Sequence, residues 1–563
     1  MSTIKNSLDQ HRLTKIIPTV LTIVLLTLPA VMSHGIVPVS ASTNTSTEQL
    51  VTDYSAAYIG QVVVSSLPAP SVSDVTALSL PDLSLSEQPQ TGATDPVAII
   101  SPGSQQFVHI VKDFAGTPGT NPNPCRCTPP DMGLAVSSKF VVQMVNLAGT
   151  IWKNNGVKVT TFSLSDFWFL PVRGGPLGIG MSDPQVLYDA AADRFYASII
   201  DTFDVNRVNF AVTATNDPTG AWYIYRVIAN CNPTAPYGPC SPASSNTLPD
   251  QPYIGYSSDK FLIAANDFDE VTGLFIGAQY WILNKAEMLS GCTAPTPCPQ
   301  GRNIDAVTNV VTTTNNHWAI RPAQHLSPTH TAFMAENCLH LIDGVALTNN
   351  CTPPPPNVPP PLANGGINVF TITGVPPGPT SVAVKTVTVA KMLFPGRADQ
   401  PGNPASLGTN DALRMLSIVW RNNVLWTASH EGCTDSLGAI RTCARLDQIS
   451  TPLPPPGPDP TFASQDFDLG YTGSYVFYPA LSTDSSNNLV LLYGHSSLGL
   501  FPDLEVTGQL ATMASMTLGQ ASVLISGTAA DLTGRWGDYF WAATDPATPN
   551  TFWVSGEFRT VSL

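Results

Sequence analysis

The stretch GRWGDYFWAATDPATPNTFWVSGEF (534–558) carries two carboxylates, Asp538 and Glu557, at the outer ends of two apolar runs joined by a Pro/Asn turn. If the runs pair as a hairpin, both acids lie at one end of it. Two carboxylates a few ångströms apart can cleave a glycosidic bond, because one stays protonated while the other is ionised. Arg535 could clamp a carboxylate ligand with its planar guanidinium, and Trp536 offers a flat face to a sugar. Asp538, Glu557 and Arg535 are therefore the candidate catalytic residues, with Trp536 beside them as a ligand contact.

Six earlier segments share the plan of apolar strand, polar turn and second apolar strand. They are MGLAVSSKFVVQMVN (132–146), DPQVLYDAAADRFYASIID (183–201), DQPYIGYSSDKFLIAAND (250–267), AQHLSPTHTAFMAE (323–336), ALRMLSIVWRNNVLWTASHE (412–431) and YVFYPALSTDSSNNLVLLYGH (475–495). Aligned on their last residues, the second strands end on Asn146, Asp201, Asp267, Glu336, Glu431, His495 and Glu557. Asp131, Asp183, Asp250, Asp411 and Asp538 stand at or beside the starts of first strands. Asp183 with Asp201, and Asp250 with Asp267, repeat the Asp538/Glu557 arrangement, and such repetition speaks for architecture. One reading is that these side chains cap strand ends by accepting loop N–H groups. The other is that Asp183, Asp201, Asp250, Asp267 and Glu431 line a channel mouth and face a ligand. A ring of carboxylates there suits calcium, which takes six to eight oxygens. His317, His325, His330 and His340 fall close together but at no metal-ligand spacing, and no GxSxG, P-loop or dinucleotide fingerprint is present.

The elements that must position these residues are hairpins, each followed by further strand-like sequence. The units recur at about 50 to 90 residues, long for a propeller repeat, and the excess fits Pro- and Cys-bearing loops such as PPPPNVPPP (353–361). Four strands per unit and seven units make an all-β, seven-bladed β-propeller. The last unit lacks sequence for two outer strands, so PVAIISPG (96–103) and QQFVHIVKDF (105–114) are expected to complete it. No amphipathic helix is expected beyond one turn at NKAEMLSG (284–291).

The chain has 563 residues, 12% charged and 43% hydrophobic, with a net charge of −15. That balance excludes a nucleic-acid backbone as partner. Lys5, His11, Arg12 and Lys15 precede an apolar run from Ile16 to Met32, and Val39-Ser40-Ala41 offers a cleavage site. Residues 1–41 read as a signal peptide, 42–95 as a flexible Ser/Thr-rich spacer, and 96–563 as the propeller. No transmembrane span is expected after cleavage, and the location is secreted or cell-surface. Ten cysteines fit export as five local disulfides: Cys125/Cys127, Cys231/Cys240, Cys292/Cys298, Cys338/Cys351 and Cys433/Cys443. No zinc spacing occurs among them.

The stretches PPDMGLAV…FVVQMVN, SDPQVLYD…DRFYASI, DQPYIGY…FLIAANDF, YWILNKAEML and RWGDYFWAATDP…TFWVSGEF together resemble a group of exported bacterial β-propeller proteins, mostly uncharacterised and sialidase-like in architecture. The resemblance covers residues 130–558 and implies a propeller and secretion without fixing an activity. Sialidases carry an Asp-box turn, S-x-D-x-G-x-x-W; Ser482-Thr483-Asp484 matches its start and lacks the Gly and Trp. Sialidases also use three arginines, and Arg173, Arg321, Arg397 and Arg535 all precede hairpins here. The expected function is binding of an extracellular glycan or protein at the channel mouth by a monomer, without turnover. The alternatives are a sialidase-like glycoside hydrolase and a structural cell-envelope protein.

Overall fold

A computed structural model describes residues 9–18, 46–71, 99–100, 108–118, 129–173, 181–201, 207–229, 247–269, 273, 275–291, 302–309, 317–342, 346–349, 365–408, 413–452 and 463–560. The architecture is nearly all β. Six of the quoted hairpins are antiparallel pairs, from Met132–Val136 with Phe140–Val145 to Trp541–Thr544 with Phe552–Arg559; in the fourth, Arg321–Pro322 pairs antiparallel with Ala332–Asn337 while Gln324–His325 runs parallel to Thr247–Tyr256 and Met415–Arg421. Most are followed by two more antiparallel strands, so the repeated element is a four-strand meander.

Strands such as Lys260–Asp269 are apolar nearly throughout, because both faces are covered. Side chains alternate across a strand. Phe261, Ile263 and Ala265 enter one core while Leu262 and Ala264 enter another. Val141 and Val145 likewise part from Val142 and Met144. Each large apolar side chain buried this way contributes about 1.5–3 kcal/mol, and the sheets stack on both sides.

The first strands of successive meanders lie against one another. Met132–Val136 meets Met181–Asp189, which meets Thr247–Tyr256, then Arg321–Pro322, Met415–Arg421, Tyr475–Thr483 and Trp541–Thr544. Trp541–Thr544 in turn contacts Met132–Val136. Residues at the starts of these strands therefore gather around one place.

Two expectations need correction. Part of the segment read as a spacer is a strand: Leu50–Val63 pairs with Ala221–Ile228 on one edge and Ile304–Asn309 on the other. It carries enough apolar surface for the task. Tyr58 packs edge-on against Tyr225 at 5.4 Å, the Tyr54 hydroxyl accepts from Ile228 N at 2.8 Å, and Ala56 and Val62 are buried. Leu164–Arg173 is a helix that the sequence reading missed. Ser163 Oγ accepts from Asp166 N at its start, and Phe167 and Trp168 fill the core beside it. Asp9–Pro18, inside the segment read as a signal, lies as a strand between Phe552–Arg559 and Val108–Ala115.

Cys433 and Cys443 form a disulfide, and Cys338 is disulfide-bonded. Among the described residues no cysteine is free. Cys125, Cys127, Cys231, Cys240, Cys292, Cys298, Cys351, Asp411 and the Pro-rich loop 353–361 lie outside the described residues. Among the described residues no helix is long and apolar enough to cross a membrane.

Candidate functional site

The chain enters most first strands through an irregular backbone. Asp183, Gln251, Ala319, Leu413, Tyr478 and Asp538 have positive φ, from 49° to 68°. Such angles are uncommon for Ala, Leu and Tyr, which lack the local hydrogen bonds that help Asp and Asn. The pairing register also slips beside several of them, between Ser182 and Gln185, Asp250 and Tyr253, and Phe477 and Ala480. Bulges re-aim side chains and strain collects at ligand clamps. Here both collect at one end of the first strands.

Four acids meet there. Tyr539 Oη donates to Asp183 Oδ2 at 2.7 Å. Ser182 Oγ lies 2.6 Å from Asp183 Oδ1 and 3.3 Å from Asp131 Oδ2, and Asn146 Nδ2 donates to Asp131 Oδ2 at 2.7 Å. Arg535 Nη2 is 2.9 Å from Asp538 Oδ2, and Arg414 Nη2 donates to Asp538 O at 3.0 Å with Oδ1 at 3.5 Å. Burial, and then Asp183 and Asp538 nearby, hold the carboxyls of Asp131 and Asp250 well above their usual range. Burial, partly opposed by the Ser182 hydrogen bond, raises Asp183 too. This end of the molecule thus offers carboxylic acids that keep their protons above the ordinary carboxylate pKa.

Opposite in sign are the residues from the fourth and fifth meanders. Arg321 is 7% exposed. Its guanidinium lies 4.3 Å from the Tyr253 ring and 5.8 Å from the Trp541 ring, and its Nη1 has no hydrogen-bond partner. No carboxylate is paired to it among the described residues. Arg414, fully buried, sits over the Tyr539 ring at 5.5 Å. Next to it His430 is buried and held neutral by burial and by the Arg414 charge, its Nε2 accepting from Tyr478 N. The first-strand starts are therefore polarised: Asp131, Asp183, Asp250 and Asp538 on some meanders, Arg321 and Arg414 on others.

The second-strand ends behave differently. Glu557 is buried, accepts from Gly537 N at 2.9 Å and lies 3.2 Å from Arg559. Glu336 accepts from Trp318 N at 2.9 Å and contacts His317 at 2.6 Å. Glu431 faces Arg445 at 2.8 Å in a cluster with the buried Asp447 and the partly exposed Asp466. Asp201 and Asp267 are wholly buried, and burial alone pushes the Asp267 carboxyl well up. Glu557 and Glu336 bind the entering backbone of their own meander, which is the strand-capping role. Of the two expected catalytic acids, Glu557 is engaged by Gly537 and Arg559, and Asp538 by Arg535 and Arg414. Trp536 is 1% exposed beneath Arg559, so it has no face for a sugar. Arg173 closes the helix after the first meander. Arg414, Tyr253 and Tyr539 were missed; aligning the hairpins on first-strand starts would have set Arg321 and Arg414 in the same column as the acids.

At the turn end of the same hairpins is a cavity of about 290 Å³, lined among others by Asp189, Lys285, His325, Arg421, Asp484 and Asp545. Its acids cap their own turns: Asp189 accepts from Ala191 N, Asp484 from Ser486 N and Asp545 from Ala547 N, each at 2.8–2.9 Å.

No family model matches the chain, and no curated protein matches it by sequence. Among solved structures it is similar to the Hadza microbial sialidase Hz136 (9% identity, 92% of this chain and 94% of that one, TM-score 0.32). It is also similar to the parainfluenza virus 5 hemagglutinin-neuraminidase ectodomain (8%, 76% and 79%, 0.33) and to an α-L-arabinofuranosidase from Lactobacillus brevis (10%, 66% and 93%, 0.27). Overlaps this loose do not bear on the reaction.

Proposed function

We propose that this chain is an exported, seven-bladed β-propeller that binds a carboxylate-bearing glycan at the mouth where its first strands begin. The cycle of contacts among first strands, each against the next and the last against the first, supports the ring. One observation carries the ligand class: Arg321 is a buried guanidinium with an unpartnered Nη1 and no carboxylate opposite it among the described residues. Arginine cannot shed its charge, and a buried charge is costly until an anion pairs with it. A ligand carboxylate presents two oxygens to such a fork, with Tyr253 and Tyr539 offering hydroxyls and ring faces to the rest of a sugar. Asp131 and Asp250, whose carboxyls burial holds above their usual range, can donate to hydroxyl or glycosidic oxygens.

A second reading, hydrolysis at the same mouth, draws on the Tyr539–Asp183 pair. A hydroxyl held at 2.7 Å by a carboxylate is the arrangement of a nucleophile with its base. A protonated Asp131 or Asp250 is then the acid for the leaving oxygen. Calorimetry of the purified protein with a free sialic acid, a uronic acid and the matching neutral sugars tests the first reading. Binding of the acidic sugars alone, lost in Arg321→Met, is expected; equal binding of neutral sugars would sink it. Fluorogenic glycosides of the same sugars, run in parallel, decide whether binding leads to cleavage.

A further inference from the structure

Away from the mouth, on the sixth meander, an imidazole and two carboxylates share one sheet face. His495 stands directly opposite Asp503, and Tyr493 directly opposite Glu505, on the antiparallel strands Leu489–Ser497 and Leu500–Gln509. Cross-strand partners project to the same side, so the register itself assembles the group. His495, Asp503 and Glu505 each bring a ligand atom within 4.8 Å of the others.

Hydrogen bonding settles which atoms remain available. Glu505 Oε1 is 2.8 Å from His495 Nδ1, and Glu505 Oε2 accepts from Tyr493 Oη at 2.8 Å. With Nδ1 engaged by Glu505, the ring nitrogen that remains is Nε2. That atom is buried and has no hydrogen-bond partner. Asp503 Oδ1 is also buried and unpartnered, on a side chain only 2% exposed. Tyr471 packs on the imidazole at 4.8 Å and keeps the ring in place. No Lys or Arg pairs with either carboxylate among the described residues. A buried acceptor pair with a carboxylate fixing the tautomer from behind is the pattern of a carboxylate–histidine–metal site.

We propose that His495 Nε2 and Asp503 bind a divalent transition-metal ion of the zinc class, with Glu505 orienting the imidazole from its far side. An imidazole with carboxylate oxygen suits zinc and its neighbours, whereas calcium takes an all-oxygen shell. Zinc ligands at about 2.0–2.2 Å lie about 3.4 Å from one another, and water would complete the set. The ion would tie the two strands together.

The test uses the full chain, stripped with EDTA and dialysed. Zinc chloride is expected to raise its melting temperature and to titrate to one ion per chain by calorimetry, while calcium and magnesium chloride do neither. His495→Ala and Asp503→Asn are each expected to abolish the shift. Glu505→Gln should weaken zinc affinity about 10- to 100-fold with stoichiometry kept, as loss of an outer-shell partner does. Cobalt(II) added to the unmutated chain should give visible d–d absorption that zinc displaces, a readout that needs no variant to fold. Absence of both the zinc shift and the cobalt spectrum overturns the proposal, as does a zinc shift of equal size in a folded His495→Ala chain.

Discussion

Tyr539, from the last hairpin, donates its phenol proton to Asp183 of the second meander across 2.7 Å, over a sequence separation of 356 residues. Burial and the Asp183 charge push the phenol well above its usual pKa, so the proton sits on oxygen unless a base takes it. Tyr539→Phe removes one hydrogen bond and leaves Asp183 with Ser182. The expected stability loss is about 1 kcal/mol, read by urea denaturation. If the mouth hydrolyses its ligand, cleavage disappears in this variant while calorimetric affinity stays within about threefold. Parallel loss of affinity would make Tyr539 a binding contact only.

Arg321 gives the sharpest test of ligand class. Charge-assisted hydrogen bonds contribute about 1.5–3 kcal/mol, so Arg321→Met should weaken binding of a carboxylate-bearing sugar about 10- to 150-fold. The same variant should be as stable as the parent or more so, because replacing a buried charge with an apolar chain of similar length is neutral or favourable. Melting temperature and affinity are predicted to move independently. A large fall in both would mean that Arg321 is part of the scaffold.

The acids of the mouth make a pH prediction. Asp131, Asp183 and Asp250 have folded-state pKa values above the ordinary 3.8. A raised carboxyl binds its proton more tightly in the folded chain, so the folded state is favoured at low pH and loses that advantage as pH climbs from about 4 through the raised value. Asp250→Asn keeps an acceptor and cannot ionise. Melting temperature should therefore fall less steeply between pH 4 and pH 8 in Asp250→Asn than in the parent, and the variant should be the more stable at neutral pH. Affinity for an anionic sugar should also strengthen toward acid pH. Parallel melting curves for the two chains would contradict this.

Glu557→Ala is expected to damage the fold and not selectively an activity. The carboxylate is fully buried between Gly537 N and Arg559, with Asp531 also on Arg559 at 3.3 Å. Removing one partner from a buried charge pair costs about 3–5 kcal/mol. Low soluble yield or a melting temperature well below the parent is the predicted result. A stable Glu557→Ala chain with lost ligand binding would return Glu557 to the site.

These cases show what the sequence displayed and what it hid. Each hairpin was legible because local alternation and a polar turn suffice to define it. The acids at the strand ends were legible as residues, but two columns that look alike serve different ends. Glu557 and Glu336 turn inward to cap the incoming backbone, while Asp131, Asp183 and Asp538 stand where neighbouring first strands meet. Only packing between meanders distinguishes them. Arg414 escaped because it falls in the acid column with opposite charge, and an alignment that looks for likeness passes over a change of sign. Leu50–Val63 escaped for another reason: its partners lie on two meanders 158 and 248 residues or more downstream, as in Val63 with Ala221 and Ala56 with Ile304.

The N-terminus carries the last prediction. Asp9–Pro18 separates Phe552–Arg559 from Val108–Ala115, with Lys15 standing opposite both Trp553 and Lys112. The same residues begin the segment proposed as an export signal. If export removes residues 1–41, the last sheet loses its third strand and exposes an unpaired edge on Phe552–Arg559, which strands do not tolerate well in solution. Val108–Ala115 alternates between buried and exposed positions, as a strand that can cover such an edge should. The exported chain is therefore predicted to begin at Ser42 by N-terminal sequencing, with amides of residues 552–559 still protected from hydrogen exchange because Val108–Ala115 has moved against them. Protection retained only in a chain that keeps residues 9–18 would show that the N-terminal strand is a permanent part of the sheet, and the signal-peptide assignment would fall.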